Sequence, residues 1–248
     1  MEIISSRQNK YIKHLKALSS DRAYRGSRGE YICDGEKLLE ECMKCGAEVT
    51  SVLWSGERTL DLPPNIEQFW ADKELLKYVS SLKETAGPLF TVRKRTMRLE
   101  GEISRAIVLD KVQDPGNVGT VIRTARAFGI DAVIPINGCA DPYNHKTVRS
   151  AMGALFSQCV LEMSVDEAVA LFRERGIPLY GAALSETAAD ARHFDLRRSA
   201  VAIGNEGNGL SAELIEKCDG LLVIPMNGDV QSLNAAISAA IVMWEMVR

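Results

Sequence analysis

Three short stretches hold the side chains best suited to chemistry. The first is residues 109–129, LDKVQDPGNVGTVIRTARAFG, in which Asn117 lies in the turn Asp114-Pro115-Gly116-Asn117-Val118-Gly119. Proline and glycine at these positions fix a tight turn and let backbone come close to a ligand. Arg123 follows in the first turns of a helical pattern. A helix N-terminus attracts anions, and an arginine beside it reinforces that attraction. The second stretch is 202–211, AIGNEGNGLS. Its glycines, interleaved with Asn205, Glu206 and Asn208, suit positive φ angles. Glu206 can accept hydrogen bonds from a substrate, or it can tie loops together. The third is 224–240, IPMNGDVQSLNAAISAA, where Ser232 can cap the following helix and Asn234 can point into the same loop cluster.

Each stretch begins with an apolar run, breaks at Gly, Asn or Pro, and continues as a helical pattern. Strand, loop and helix repeated this way bring three loops to the carboxyl edge of a parallel sheet, where open α/β folds bind ligands. Further strand candidates are DAVIPI, PLYGAAL, SAVAIG and GLLVIP. Short apolar runs alternating with helices predict a mainly parallel sheet covered on both faces. The last helix, AAISAAIVMWEMV, is apolar on nearly every side and must be buried on several, which suggests contact with another subunit. The loop 204–209 is not the GxGxxG dinucleotide fingerprint, and no P-loop lysine accompanies it. His14, His145 and His193 build no nucleophile or metal constellation, and no paired carboxylates stand out.

The amino-terminal part reads as a smaller α/β domain. Ile12, Leu15 and Leu18 recur at helical spacing within 8–20. DRAYRGSRGE reads as a basic loop, YIC as a strand and EKLLEECMKCG as a helix. VTSVLW and IEQFWA read as strands flanking a Pro63-Pro64 turn, and Asp72 as the N-cap of DKELLKYVSSL. The polar stretch 94–104 is a linker, which gives domains at 1–93 and 105–248.

The net charge of −3 hides an uneven distribution. Arg7, Lys10, Lys13, Lys16, Arg22, Arg25 and Arg28 cluster around His14 with Asp21 as their only acid, and Arg93, Lys94, Arg95 and Arg98 form a second group. In 141–156, DPYNHKTVRSAMGALF, Lys146 and Arg149 precede a small-residue helix and suit phosphate as well. Such clusters bind a phosphate backbone through counterion release. No apolar run approaches the roughly 20 residues of a membrane helix, and the polar start MEIISSRQNK lacks a signal core, so a cytoplasmic protein is expected. The six cysteines are then reduced thiols. Cys42 and Cys45 lack a second pair at zinc spacing, so no metal is expected.

With these motifs in order, the chain resembles the SpoU (TrmH-like) family of RNA ribose 2′-O-methyltransferases, in the SPOUT superfamily. The resemblance extends to the amino-terminal half, where ISSRQNKYIKHLKAL and YICDGEKLLEEC are similar to a ribosomal-protein-like substrate-binding domain. Asp34 stands where that family often has glutamate. The resemblance implies an α/β fold with a deep trefoil knot formed by the second and third motifs, S-adenosylmethionine as methyl donor, an RNA substrate and a homodimer. It assigns catalysis to Asn117, Arg123, Glu206, Ser232 and Asn234. It places the donor among Leu184, Gly204, Asn205, Gly207, Ile224, Met226, Ser232 and Leu233. RNA would lie on Arg7, Lys10, Lys13, Arg22, Arg25, Arg28, Lys146 and Arg149. Ribosomal RNA is the expected substrate, because the extra amino-terminal domain is typical of relatives acting on it. A transfer-RNA 2′-O-methyltransferase, or a non-catalytic RNA-binding or ribosome-assembly protein on the same fold, are the alternatives. The family proposal makes the matching arginine a general base. An arginine is a poor base at its ordinary pKa, so Arg123 is expected to stabilise a developing alkoxide and hold a neighbouring phosphate.

Overall fold

The computed structural model describes residues 2–80, 85, 87–95, 102–227 and 232–248. The chain divides into two compact units, Met1–Thr96 with Asp141–Phe156, and Met97–Ala140 with Ser157–Arg248.

The first unit opens with β1 (Glu2–Ile4), α1 (Lys10–Ser20), α2 (Arg22–Arg28), β2 (Glu30–Asp34), α3 (Glu36–Lys44), β3 (Val49–Trp54), β4 (Glu67–Ala71), α4 (Lys73–Val79) and β5 (Leu89–Arg93). The strands form one sheet in the order β1-β4-β3-β5-β2, with β5 antiparallel to both its neighbours. Asn9 caps α1 by accepting the Tyr11 N–H at 2.8 Å, and Ile12, Leu15 and Leu18 are fully buried against Ile32 and Leu53. The stretch 21–30, expected as a loop, contains α2. Asp21 accepts the Tyr24 N–H at 3.1 Å, Gly29 closes the helix at φ +62°, and both are standard end signals that outweigh Gly26 inside it.

The second unit begins with β6 (Arg105–Asp110), α5 (Pro115–Phe128) and β7 (Ala132–Ile136). The turn expected at 114–119 is already the first part of α5. Asp114 accepts the Asn117 N–H at 2.9 Å and Pro115 takes the first helical position, where it has no donor to lose. The chain then contributes α6 (His145–Ala151) to the first unit. The boundary expected at 105 therefore omits this return. Asp141 accepts from Arg25 Nε at 2.8 Å and Nη2 at 2.7 Å, which fixes the start of the segment beside α2. Lys146 and Arg149 lie within α6 rather than ahead of a helix.

The second unit continues with α7 (Val165–Glu174), β8 (Leu179–Ala182), β9 (Ala189–Asp190), β10 (Ser199–Ile203), α8 (Ala212–Ile215), β11 (Gly220–Val223) and α9 (Ala235–Val247). Among the described residues its six strands are all parallel, in the order β7-β6-β10-β8-β11-β9. Pro135 is tolerated because β7 is an edge strand. Val108, Ile134 and Ala202 pack one face against Phe172 of α7 and Leu214 of α8, while α5 and α9 lie together against the sheet from β6, β7 and β10. Both faces are covered, so Ile107, Leu109, Val133 and Val201 are as buried as their alternating neighbours.

Candidate functional site

The loops after β8, β10 and β11 meet at the carboxyl edge of the second unit's sheet, around a cavity of about 320 Å³. Leu184, Ile203, Ile224, Met226 and Leu233 form its apolar walls. Gly204, Asn205, Glu206 and Gly207 supply backbone and polar groups, and Ser232 lies at its rim. All eight residues assigned to the donor by resemblance line this space. An apolar slot with a few convergent polar groups is the usual form of a small-molecule site.

The glycine loop is closed on itself. Asn205 and Gly209 exchange backbone hydrogen bonds at 3.0 and 2.9 Å, and Asn205 Oδ1 accepts from Gly207 and Asn208 at 2.9 and 3.1 Å. A Cβ at Gly204 would collide with the Gly209 backbone, so only glycine fits there.

A hydrogen-bond chain crosses from loop to loop. Asn234 Nδ2 donates to Asn117 Oδ1 at 3.0 Å, and Asn117 Nδ2 donates to Glu206 Oε1. Asn234 is also the N-cap of α9, its Oδ1 accepting from Ala236 and Ile237 at 2.9 and 3.3 Å. That capping role was expected of Ser232. Arg123 is not brought into this chain. It is exposed on α5, and its guanidinium has no hydrogen bond or ion pair with a described residue. Residues 228–231 of the third loop, and Arg98 of the second basic cluster, lie outside the described residues.

Sequence reasoning missed Ala182, Ile203, Asn208, Gly209, Ala235 and Ser238 among the lining residues. Ala182 ends β8, and Ser238 is four residues beyond Asn234 on α9, so strand ends and helical periodicity could have found both.

In the first unit, Arg7, Lys10, Lys13, Arg22, Arg28, Lys146 and Arg149 are exposed. Arg25 is not available to RNA. It is 2% exposed, is held by Asp141, and donates from Nη1 to the Leu18 carbonyl at 2.7 Å. The Arg7 guanidinium lies 4.6 Å and the Lys16 ammonium 5.2 Å from the centre of the Tyr78 ring. Burial pushes the Cys42 thiol up to about 12 and the Cys139 and Cys218 thiols up to about 11. No group of three His, Cys, Asp or Glu among the described residues could hold a metal ion.

Residues 104–244 match the model of the SpoU rRNA Methylase family. The chain is 33% identical, over 99% of both chains, to a protein of Bacillus subtilis (strain 168) named 23S rRNA (guanosine(2553)-2′-O)-methyltransferase RlmP. It is 29% identical, over 99% of its own length and 91% of the relative's, to the 23S rRNA (uridine(2479)-2′-O)-methyltransferase of Streptomyces viridochromogenes. Among solved structures it is similar to the SpoU methyltransferase AviRb from Streptomyces viridochromogenes in complex with AdoMet, with a TM-score of 0.86, 29% identity and 97% of each chain covered. With the motifs in order, the loops gathered at one sheet edge and the family model matching residues 104–244, the chain belongs to the SpoU rRNA methylase family.

Proposed function

We propose that this protein transfers the methyl group of S-adenosylmethionine to a ribose 2′-hydroxyl of ribosomal RNA. The observation that carries this reading is the chain from Asn234 through Asn117 to Glu206, which links the starts of α9 and α5 to the glycine loop that lines the cavity. The residues present fit the donor. The apolar walls suit its adenosine and thioether parts, and the glycine loop lets backbone groups approach its polar edges. The relatives named as ribosomal-RNA 2′-O-methyltransferases, and the similar structure holding AdoMet, support the same assignment.

When bound, S-adenosylmethionine supplies an activated methyl on a sulfonium, so the protein's task is positioning and oxygen activation. Gly204, Ile224 and Leu233 would hold the donor at the cavity wall, and Ser232 and Glu206, which line the same cavity, would meet the ribose. Arg123 lies on α5, two turns beyond Asn117. Its exposed side chain is long and free of the Asn234–Asn117–Glu206 chain, and its guanidinium would meet the ribose of the bound RNA. There it stabilises the alkoxide developing on the 2′-oxygen and holds an adjacent phosphate. The guanidinium acts there as a hydrogen-bond donor, and the 2′-hydroxyl proton leaves to solvent as the oxygen takes the methyl.

Arg7, Lys10, Lys13, Arg22 and Arg28 on the first unit, with Lys146 and Arg149 of α6, grip the RNA backbone. The deep trefoil knot of the SPOUT superfamily would involve the second and third motifs, 202–211 and 224–240, of which 228–231 lie outside the described residues. A homodimer through α9 and a cytoplasmic location complete the proposal. No helix among the described residues is long and apolar enough to cross a membrane.

The test is methyl transfer from labelled S-adenosylmethionine to total RNA from cells lacking this gene, with the wild type and Arg123→Ala. Label should enter ribosomal RNA at an alkali-resistant linkage with the wild type only. A loss of about a hundredfold in the variant is expected for removing one transition-state cation. Label in transfer RNA would redirect the substrate. Donor and RNA binding without any label would leave a binding protein.

A further inference from the structure

The glycine loop that presents Glu206 is anchored from beneath by a residue that does not line the cavity. Asp110 ends β6, between β7 and β10, and its side chain is fully buried. One carboxylate oxygen accepts the Ser211 N–H at 2.6 Å, just beyond the loop. The other accepts from Asn137 Nδ2 at 3.0 Å, in the turn after β7. The following residue, Lys111, has φ +56°, and its carbonyl accepts from Asn205 Nδ2 at 3.1 Å. Both ends of the loop 204–209 are therefore tied to the pair 110–111.

We infer that Asp110 is a positioning residue for the methyl donor, setting the height and orientation of the 204–209 loop through Ser211 and Lys111 without touching the donor. This rests on the reading of the cavity as an S-adenosylmethionine site. A buried carboxylate is tolerated only where donors satisfy it, and charge-assisted hydrogen bonds are the stronger kind. The loop itself has almost no apolar side chains to pack, so its order must come from hydrogen bonds. A loop that is ordered for only a fraction of the time binds its ligand more weakly by that fraction.

Asp110→Asn tests the anchor: it removes the charge, and its new NH2 faces either the Ser211 N–H, donor against donor, or Asn137, whose amide must then turn over and withdraw Nδ2 from the Ser211 hydroxyl at 3.4 Å. The paired variant Asp110→Asn with Asn137→Asp reverses the polarity. The new carbonyl keeps the Ser211 N–H while the new NH2 donates to the carboxylate now standing at 137. The readouts are the dissociation constant for S-adenosylmethionine by calorimetry and, without donor, amide hydrogen exchange across 204–210 against the amides of β6 and β10. Asp110→Asn should weaken donor binding about tenfold or more and speed exchange in the loop alone. The paired variant should return both to within about threefold of the wild type. Wild-type affinity in Asp110→Asn would overturn the inference. So would loosening of β6 and β10 together with the loop, unrelieved by the pair. A wild type that binds no S-adenosylmethionine would instead sink the reading of the cavity, and the exchange arm would still decide whether Asp110 anchors the loop.

Discussion

Asn117 faces two partners of opposite polarity. Its Oδ1 accepts from Asn234 at 3.0 Å while its Nδ2 donates to Glu206. Neither partner can exchange roles. The Asn234 oxygen is committed to the first N–H groups of α9, and an ionised carboxylate only accepts. The direction of the chain is thus set at both ends, and only an amide fits between them. Asn117→Asp is nearly isosteric, yet it sets a second carboxylate against Glu206. Two unit charges about 4 Å apart repel by about 4 kcal/mol at an effective dielectric near 20. Asn117→Ala removes the bridge but lets water take both partners. We expect the single-turnover methyl-transfer rate to fall about tenfold in the alanine variant and about a hundredfold in the aspartate variant, with folding kept in both. An aspartate variant faster than the alanine one would show that the bridge does not work through polarity.

At the level of elements, the strands of the second unit were legible because both faces are covered, which makes each a short unbroken apolar run. The three loops were legible from glycine, and their convergence followed from all strands being parallel. The helix start at Pro115 was readable from Asp114 and proline but was hidden by a turn signal made of the same residues. The placement of α6 was not readable. Asp141 meets Arg25, 116 positions away, and no local pattern encodes such a pair. The same segment buries His145 at 1% exposure, with Arg149, Arg25 and Lys16 close enough to oppose its protonation. Burial is the larger cause, and together these effects hold its pKa down to about 4. The Asp34 carboxylate at 3.9 Å is one anion against three cations, and burial raises its own pKa. In the unfolded chain His145 titrates near 6.5, so between about pH 6.5 and 4 the unfolded state binds the extra proton. His145 thus favours folding above that window, and the contribution is lost as pH falls, by about 2 kcal/mol at pH 5. Urea unfolding at pH 7 and pH 5 should show His145→Gln losing less stability than the wild type. Equal losses would mean that His145 is not the group being titrated.

Across the whole molecule, α9 has more apolar surface than its own unit can bury. Ala236, Ala239, Val242, Met243 and Met246 are covered, but Ile237, Ile241 and Trp244 remain 52%, 37% and 55% exposed. Their spacing of four and three residues puts them in one stripe, and the Trp244 ring continues to Phe128 of α5 at 5.9 Å. A contiguous apolar stripe is the mark of an association surface, and a second copy of the same stripe satisfies twofold symmetry. With a net charge of only −3, repulsion between copies is small. Light scattering at micromolar concentration should therefore report a dimer, and Ile241→Asp with Trp244→Glu should report a folded monomer, because neither side chain is needed inside the unit. A monomeric wild type would remove α9 as the interface. The monomeric variant also probes the site, since Ala235 and Ser238 of the first turns of α9 line the cavity and Asn234 caps that helix. If association steadies α9, donor affinity should fall with the dimer; if affinity holds, the cap and the packing on α5 suffice to place that wall within one chain.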